Sequence, residues 1–448
     1  MIKRCIHILP AMLAALALLA IGGAGVARAD RLRMTFNEPG SNVVPIAVSE
    51  LKNLGGDDQG TISHDFVRIL RRNLELSGFF SVIAPKSYIE DPQNSGYDLG
   101  KFNFGDWSSL NAEFLVKGAV TNSGGQVSIE ALTFDVAQQR RMFGTRFTGG
   151  PGDVQQMARR FADAVLKAVT GEQGPFDTKI AFVSTQGGRY KEVYLAAPDG
   201  GGMFRVSDNP TINLFPKFAR SAASVLYLSY KSGAPALYLF DVAARTETRI
   251  DSPHGNVIGG ALSPDGSRIV AAVENAGRTN LFLLSRSGEE IRQLTQGGAI
   301  NVNPAFSADG QQLAFTSDRS GTPQIYLTNL GGGASRRVTF QGDYNTSPSF
   351  SPDGKWIAYQ SRSGGFNIFI IPSAGGQAVQ LTQDGRSNQS PCWSPDERYL
   401  VFSSNRDGHE RLFLMQVNTK LQTGKVISAL MEDEGNDTSP TWSWWLGG

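Results

Sequence analysis

Eight asparagines fall in six short segments that each precede one version of a recurring phrase, Pro-x-aromatic-Ser: Asn209, Asn213, Asn256, Asn301, Asn303, Asn345, Asn388 and Asn436. The segments run 207–216, 252–260, 296–304, 341–348, 383–391 and 433–440. A carboxamide both donates and accepts, so asparagines brought round one opening would form a ring for recognising polar groups; asparagine also closes turns on its own backbone, and the two readings stand level here. His254 and Tyr344 add larger contact groups to the same segments. Asp208, Asp343, Asp384 and Asp437 lie there too, and carboxylates beside amides are the donor set of a hard cation. The acidic run Glu432-Asp433-Glu434 reads as a solvated loop.

Other chemistry is hard to find. No G-x-S-x-G elbow, H-E-x-x-H pair or phosphate-binding glycine loop occurs. Beyond residue 29 the histidines are His64, His254 and His409, far apart, and the single cysteine is Cys392. The expectation is a protein without catalytic residues, cofactor or metal that acts by binding other proteins. Its alternative is an enzyme of the lactonase kind, with a cation held in a propeller channel.

The elements that would position these residues repeat. The aromatic or apolar residue of the phrase falls at 218, 262, 306, 350, 393 and 442, in steps of 44, 44, 44, 43 and 49. Turns such as Ser263-Pro264-Asp265-Gly266 and Ser351-Pro352-Asp353-Gly354 follow the phrase. After each turn comes a strand ending in serine, as in Leu313-Ala314-Phe315-Thr316-Ser317, and then two further strands. Four strands in about 44 residues make a propeller blade. Ile180-Ala181-Phe182-Val183-Ser184 copies the second strand with no first strand before it, while Pro440 to Trp445 is a first strand with nothing after it. The two fragments complete one blade, so the expectation is six blades closed by a strand swap, with Trp442, Trp444 and Trp445 structural.

Residues 30–170 lack the repeat and alternate strand and helix signals, as an α+β domain of sandwich-like build does; 171–178 reads as a linker and 179–448 as the propeller. Val43–Val48 is a predicted strand. Ser63 is the expected cap of a helix carrying Phe66, Ile69, Leu70 and Leu74, ended by Ser77-Gly78. Strands are predicted over 114–120, 127–136 and 142–147, and a closing helix over 153–169 presents Met157, Phe161, Val165 and Val169, with Gly171 just past its end.

The first 29 residues read as a signal peptide: Lys3 and Arg4, an apolar run from Ile8 to Ile21, and Ala27-Arg28-Ala29 before Asp30. Export is therefore expected. The formal charge of the whole chain is +1, and removing Lys3, Arg4 and Arg28 leaves about −2, which gives no electrostatic case for nucleic acid. With 51 glycines and 21 prolines in 448 residues, the composition suits many short strands and turns.

A signal peptide, an α/β domain containing Leu74-Glu75-Leu76-Ser77-Gly78-Phe79-Phe80, and a six-bladed propeller with Phe-Ser-Pro-Asp-Gly turns together resemble the TolB family of the Tol-Pal envelope system. The resemblance covers essentially the whole chain. One blade departs from the repeat, with Gly260-Ala261-Leu262 in place of Pro-x-aromatic. The resemblance implies a monomeric periplasmic adaptor, associated with the envelope only through its partners, that serves outer-membrane integrity and invagination in cell division. It implies binding of the lipoprotein Pal at the channel mouth, where His254, Asn256, Asn301, Asn303, Tyr344, Asn345, Asn388 and Asn436 would lie. It also implies signalling to TolA through the N-terminal segment, with Asp30, Leu32, Met34 and Phe36 as contacts. The local alternative is that Leu32, Met34 and Phe36 form the first strand of the domain.

Overall fold

The computed structural model describes residues 43–446, apart from 58, 187, 220–222, 253, 363 and 432–434. Asp30, Leu32, Met34 and Phe36, like the signal segment and the acidic run, lie outside the described residues.

The α/β domain is built on one mixed sheet. Strands β1 (Val44–Val48), β2 (Lys52–Asn53), β3 (Phe80–Val82), β4 (Phe114–Ser123), β5 (Gln126–Asp135) and β6 (Arg140–Gly149) form it in the order β3-β1-β4-β5-β6, with β2 beside β4. β1 runs parallel to β3 and β4, and β4, β5 and β6 are antiparallel. Side chains alternate between two cores as the pleat requires. Ile46, Val48, Val116 and Ile129 face α1 (Thr61–Leu76) and a C-terminal helix, whereas Ala47, Leu115, Leu132 and Phe134 face Trp107 of the short helix α2 (Phe104–Ser108). The C-terminal helix, α3 (Val154–Thr170), buries Met157, Phe161, Val165 and Val169, and Gly171 ends it in the left-handed region at φ 83°.

One cap differs from expectation. Ser63 stands inside the first turn of α1, where its hydroxyl accepts from the Leu51 amide at 2.8 Å and donates to Glu50 at 2.7 Å. The cap is the Asp57 carboxylate, which accepts from the amides of Ile62 and Ser63 at 3.1 and 3.0 Å. It reaches two orphan donors from outside the helix, a service of about 1 kcal/mol.

The rest is six four-stranded antiparallel sheets. Blades I to V begin with the strands Asn213–Phe218, Asn256–Leu262, Asn301–Phe306, Asn345–Phe350 and Asn388–Trp393. Blade VI joins Thr438–Trp442 to Ile180–Ser184, Glu192–Ala196 and Phe204–Arg205, so the last strand of the chain closes the ring, as the orphan fragments predict. The C-terminal tryptophans then fasten the closure: the Trp442 indole donates to Thr178 Oγ1 at 2.8 Å and the Trp445 indole to the Gly174 carbonyl at 2.6 Å.

The Ser-x-Asp turns after the first strands are hairpin closures. Ser263, Ser307, Ser351 and Ser394 donate to the aspartate two residues on at 2.5–2.6 Å and accept the backbone amide five residues on at 2.9–3.0 Å. Asp265 is held down to about 2 by bonds from Ser263 and Ser267.

At this turn end of blades V and VI the α/β domain packs. Phe79, Val165 and Phe176 share one core with Tyr399, Val401, Leu430 and Trp442. Arg159 of α3 grips Asp199 bidentately at 2.8 and 2.9 Å, and Asn73 of α1 donates to the same carboxylate at 2.8 Å. Burial acts to raise the Asp199 pKa, but Arg159, Asn73 and the Gly201 amide outweigh it and hold it low. Tyr399 donates to the Ser77 carbonyl at 2.7 Å and Arg72 to the Ala429 carbonyl at 2.8 Å.

Candidate functional site: the open mouth of the channel

The first strands run parallel around the axis, so their N-terminal ends define the mouth opposite the α/β domain. Each carries a bulge, seen as a register shift against the second strand. In five blades the bulged residue has a left-handed backbone: Phe215 (φ 52°), Asn303 (50°), Ser347 (55°), Ser390 (52°) and Ser439 (54°). Each precedes the proline of the repeat phrase. A non-glycine residue in this region costs about 1–3 kcal/mol, and all five line the outer channel, a space of about 300 Å³. In the blade that has Gly260 instead of proline, no first-strand residue has a left-handed backbone. The signal of this device in the sequence is the proline that recurs one residue later.

The bulge also decides the fate of the asparagines. Asn213, Asn301, Asn345 and Asn388 open their strands at 0% exposure, with their amides turned inward. Asn213 donates to Glu192 at 2.9 Å, Asn301 to the Thr279 carbonyl at 2.8 Å and Asn345 to Gln324 at 2.8 Å, each reaching the preceding blade. Asn388 donates to Asp384 at 2.8 Å. Arg319 and Arg406 complete two of these networks, donating to Asn301 and Asn388 at 2.8 Å each while lying over Phe315 and Tyr326, or Phe402 and Phe413. Asn301, Asn345 and Asn388 are therefore staples within and between blades, and the expected ring of free amides does not form. The cause is that a strand-initial amide left unpaired beside buried backbone would cost more than it could return at a surface.

Other expected contacts divide. Tyr344, 40% exposed, stands edge-on to Phe366 at 6.0 Å over a recess of about 510 Å³ between blades III and IV. Asn303 lines both this recess and the channel. Asn436 and Asn256 are exposed at blade starts, Asn436 accepting from the Glu410 amide at 3.2 Å. His254 sits apart: its ring stacks on Phe282 at 4.5 Å and lies beside Glu290 of the outer strand of blade II, so it belongs to the blade periphery. The mouth instead exposes apolar groups that the sequence did not single out: Ile212 (49%), Phe215 (38%) and Ile300 (47%).

Among the described residues the donors of a cation site are not assembled. Among the described residues lining either channel compartment, none of Asp208, Asp343, Asp384 and Asp437 appears, and the charged residue that does line both is Lys217. Asp384 is engaged with Asn388 and Arg406, the latter at 3.0 Å, and Asp437 is buried. A lysine among prolines, alanines and hydroxyls repels a divalent ion.

Comparison with known proteins agrees with this architecture. Residues 166–446 match the family described as the TolB beta propeller domain, and residues 32–142 match the TolB amino-terminal domain. The chain belongs to the TolB family. A Tol-Pal system protein TolB of Desulfosudis oleivorans is 34% identical over 58% of this chain and 59% of its own length; another, of Anaeromyxobacter sp. strain K, is 33% identical over 65% and 66%. These matches thus span about three fifths to two thirds of the relatives. The crystal structure of TolB from Acinetobacter baumannii superposes with a TM-score of 0.75 over 91% of this chain and 98% of that one, at 23% identity, and so shares the fold. Membership of the TolB family places the chain with proteins named for the Tol-Pal system. No helix among the described residues is long and apolar enough to cross a membrane.

Proposed function

We propose that this protein is a periplasmic adaptor of the Tol-Pal system that docks the lipoprotein Pal on the open mouth of its propeller and signals to TolA through residues 30–42, in support of outer-membrane integrity and envelope invagination during division. The observation that carries the reading is the mouth itself. Exposed apolar side chains surround a concave recess at the end of the propeller away from the α/β domain, while the asparagine amides at the starts of the first strands are spent on bonds within and between blades. Such a surface gains from docking a protein and has little to offer a small polar substrate. Tyr344, Asn303, Phe215 and Ile300 are the proposed contacts, with Asn436 and Asn256 at the rim. Asp30, Leu32, Met34 and Phe36 are proposed for the TolA segment, whose engagement Pal would bias by a population shift.

The test is a pull-down from envelope extract with residues 30–448, with residues 43–448, and with Tyr344→Ala. The full bait should recover both partners and the shortened bait Pal alone. Tyr344→Ala should weaken Pal by about 30-fold, as loss of an aromatic anchor does. Recovery of neither partner by the full bait overturns the reading.

A further inference from the structure

The second position of the repeat phrase forms a ring inside the channel: Lys217, Ala261, Ala305, Ser349, Cys392 and Thr441. Five members are small, which leaves the channel hollow, and the sixth is a lysine. Lys217 borders both the outer compartment of about 300 Å³ and an inner one of about 150 Å³. Among the described residues its ammonium has no hydrogen bond or ion pair, and no carboxylate lines either space. The prolines beside it carry no N–H, so the other donors of the lining are side chains, with the hydroxyls of Ser349 and Thr441 in the same ring. Enclosure by the blades lowers its pKa, yet a lysine that served only to fill space would be better replaced by methionine, since an ammonium without a counter-charge is costly to enclose.

We infer that the central channel is a binding site for a carboxylate, received by Lys217 as its only charged partner and by the hydroxyls of Ser349 and Thr441 as hydrogen-bond donors. The space admits a small carboxylic acid whole, or the acidic side chain of a peptide segment entering from the open mouth. The inference does not depend on the identity of any protein partner and reaches beyond the docking surface at the rim.

Thermal unfolding of the mature chain tests it, in sodium malonate against sodium chloride of equal ionic strength. Malonate should raise the Tm saturably, by about 2–4 °C near a hundred-fold excess over its dissociation constant. Lys217→Met should abolish that rise while itself melting above the unmodified protein in plain buffer, and Lys217→Arg should keep the rise. Blocked Gly-Asp-Gly at the same concentrations separates the sources: stabilisation by the peptide as well as malonate assigns the site to side chains, and by malonate alone to free acids. Equal responses to malonate in the unmodified protein and Lys217→Met, or no response beyond that to chloride, would overturn the inference.

Discussion

The two ends of the propeller solve opposite problems. At the turn end, blades V and VI bury charged and polar groups against the α/β domain, and nearly every one is answered: Asp199 by Arg159 and Asn73, Ser77 by Tyr399, Ala429 by Arg72. At the mouth end the strand-initial asparagines donate within and between the blades, and large apolar groups stand outward beside Asn256 and Asn436, at Ile212, Phe215, Ile300 and Tyr344. The same repeat therefore supplies a permanent interface at one end and an unpaired one at the other. Stability should be concentrated at the first and recognition at the second.

The strongest way to break that division is to remove the closure that both ends share. A chain ending at Gly435 loses the first strand of blade VI, with the Trp442 and Trp445 bonds to the linker, and leaves Ile180–Ser184 as an open edge. Cooperative unfolding of the propeller should disappear, seen as loss of near-ultraviolet circular dichroism and rapid proteolysis within residues 180–435. A truncated chain with native spectra and a sharp transition would show that closure is dispensable.

A smaller change separates the ends. Asp199→Asn leaves the Arg159 guanidinium buried without its counter-charge and should cost about 3–5 kcal/mol in denaturant unfolding. Tyr344→Ala, in the exposed recess, should shift stability by no more than about 0.5 kcal/mol. Similar losses at the two sites would mean that the mouth carries the fold as well.

How much of this was legible in the sequence follows the same line. Blade number and closure could be read because the aromatic or apolar residue of each first strand returns every 43 to 49 residues, and because a second-strand copy stood alone at one end of the array. The two long helices follow from apolar spacing, whereas the short helix α2 has too few turns to show a period. The cap of α1 does not follow either, since Asp57 reaches its amides from four residues before the helix and Ser63 mimics a cap from inside it. At the mouth, residue types were legible but their directions were not. A left-handed residue in five of the six first strands decides which side chain faces the channel, and spacing carries no trace of that turn beyond the proline that follows. So Asn301, Asn345 and Asn388, whose residue type suits a turn and a surface ring equally, serve as staples, while Lys217 stands in the middle of the phrase that defines the repeat.

The finest test of the packed end is its response to pH. Asp163 of α3 accepts the amides of Phe176 and Asp177 at 2.9 and 3.0 Å and so holds the segment that leads into the propeller. Burial pushes its pKa up to about 7, against the pull of those two amides, with Asp177 and Asp396 adding repulsion. Asp396, raised by its own burial, faces it from the blade V turn. A carboxyl whose pKa is raised on folding binds its proton more tightly in the native state, so its contribution to stability is greatest at low pH. That contribution falls as pH rises from the unfolded value near 4 through about 7, and above that window the full cost of the buried charge is present. Asp163→Asn keeps one acceptor oxygen and removes the charge. Its Tm should therefore decline less than that of the unmodified protein between pH 4 and 7, and the two curves should run parallel above pH 8. A variant whose Tm tracks the unmodified protein across the whole range would assign the slope to Asp396 and leave Asp163 ionised at the packed end, a charge that its two amide donors then stabilise unaided.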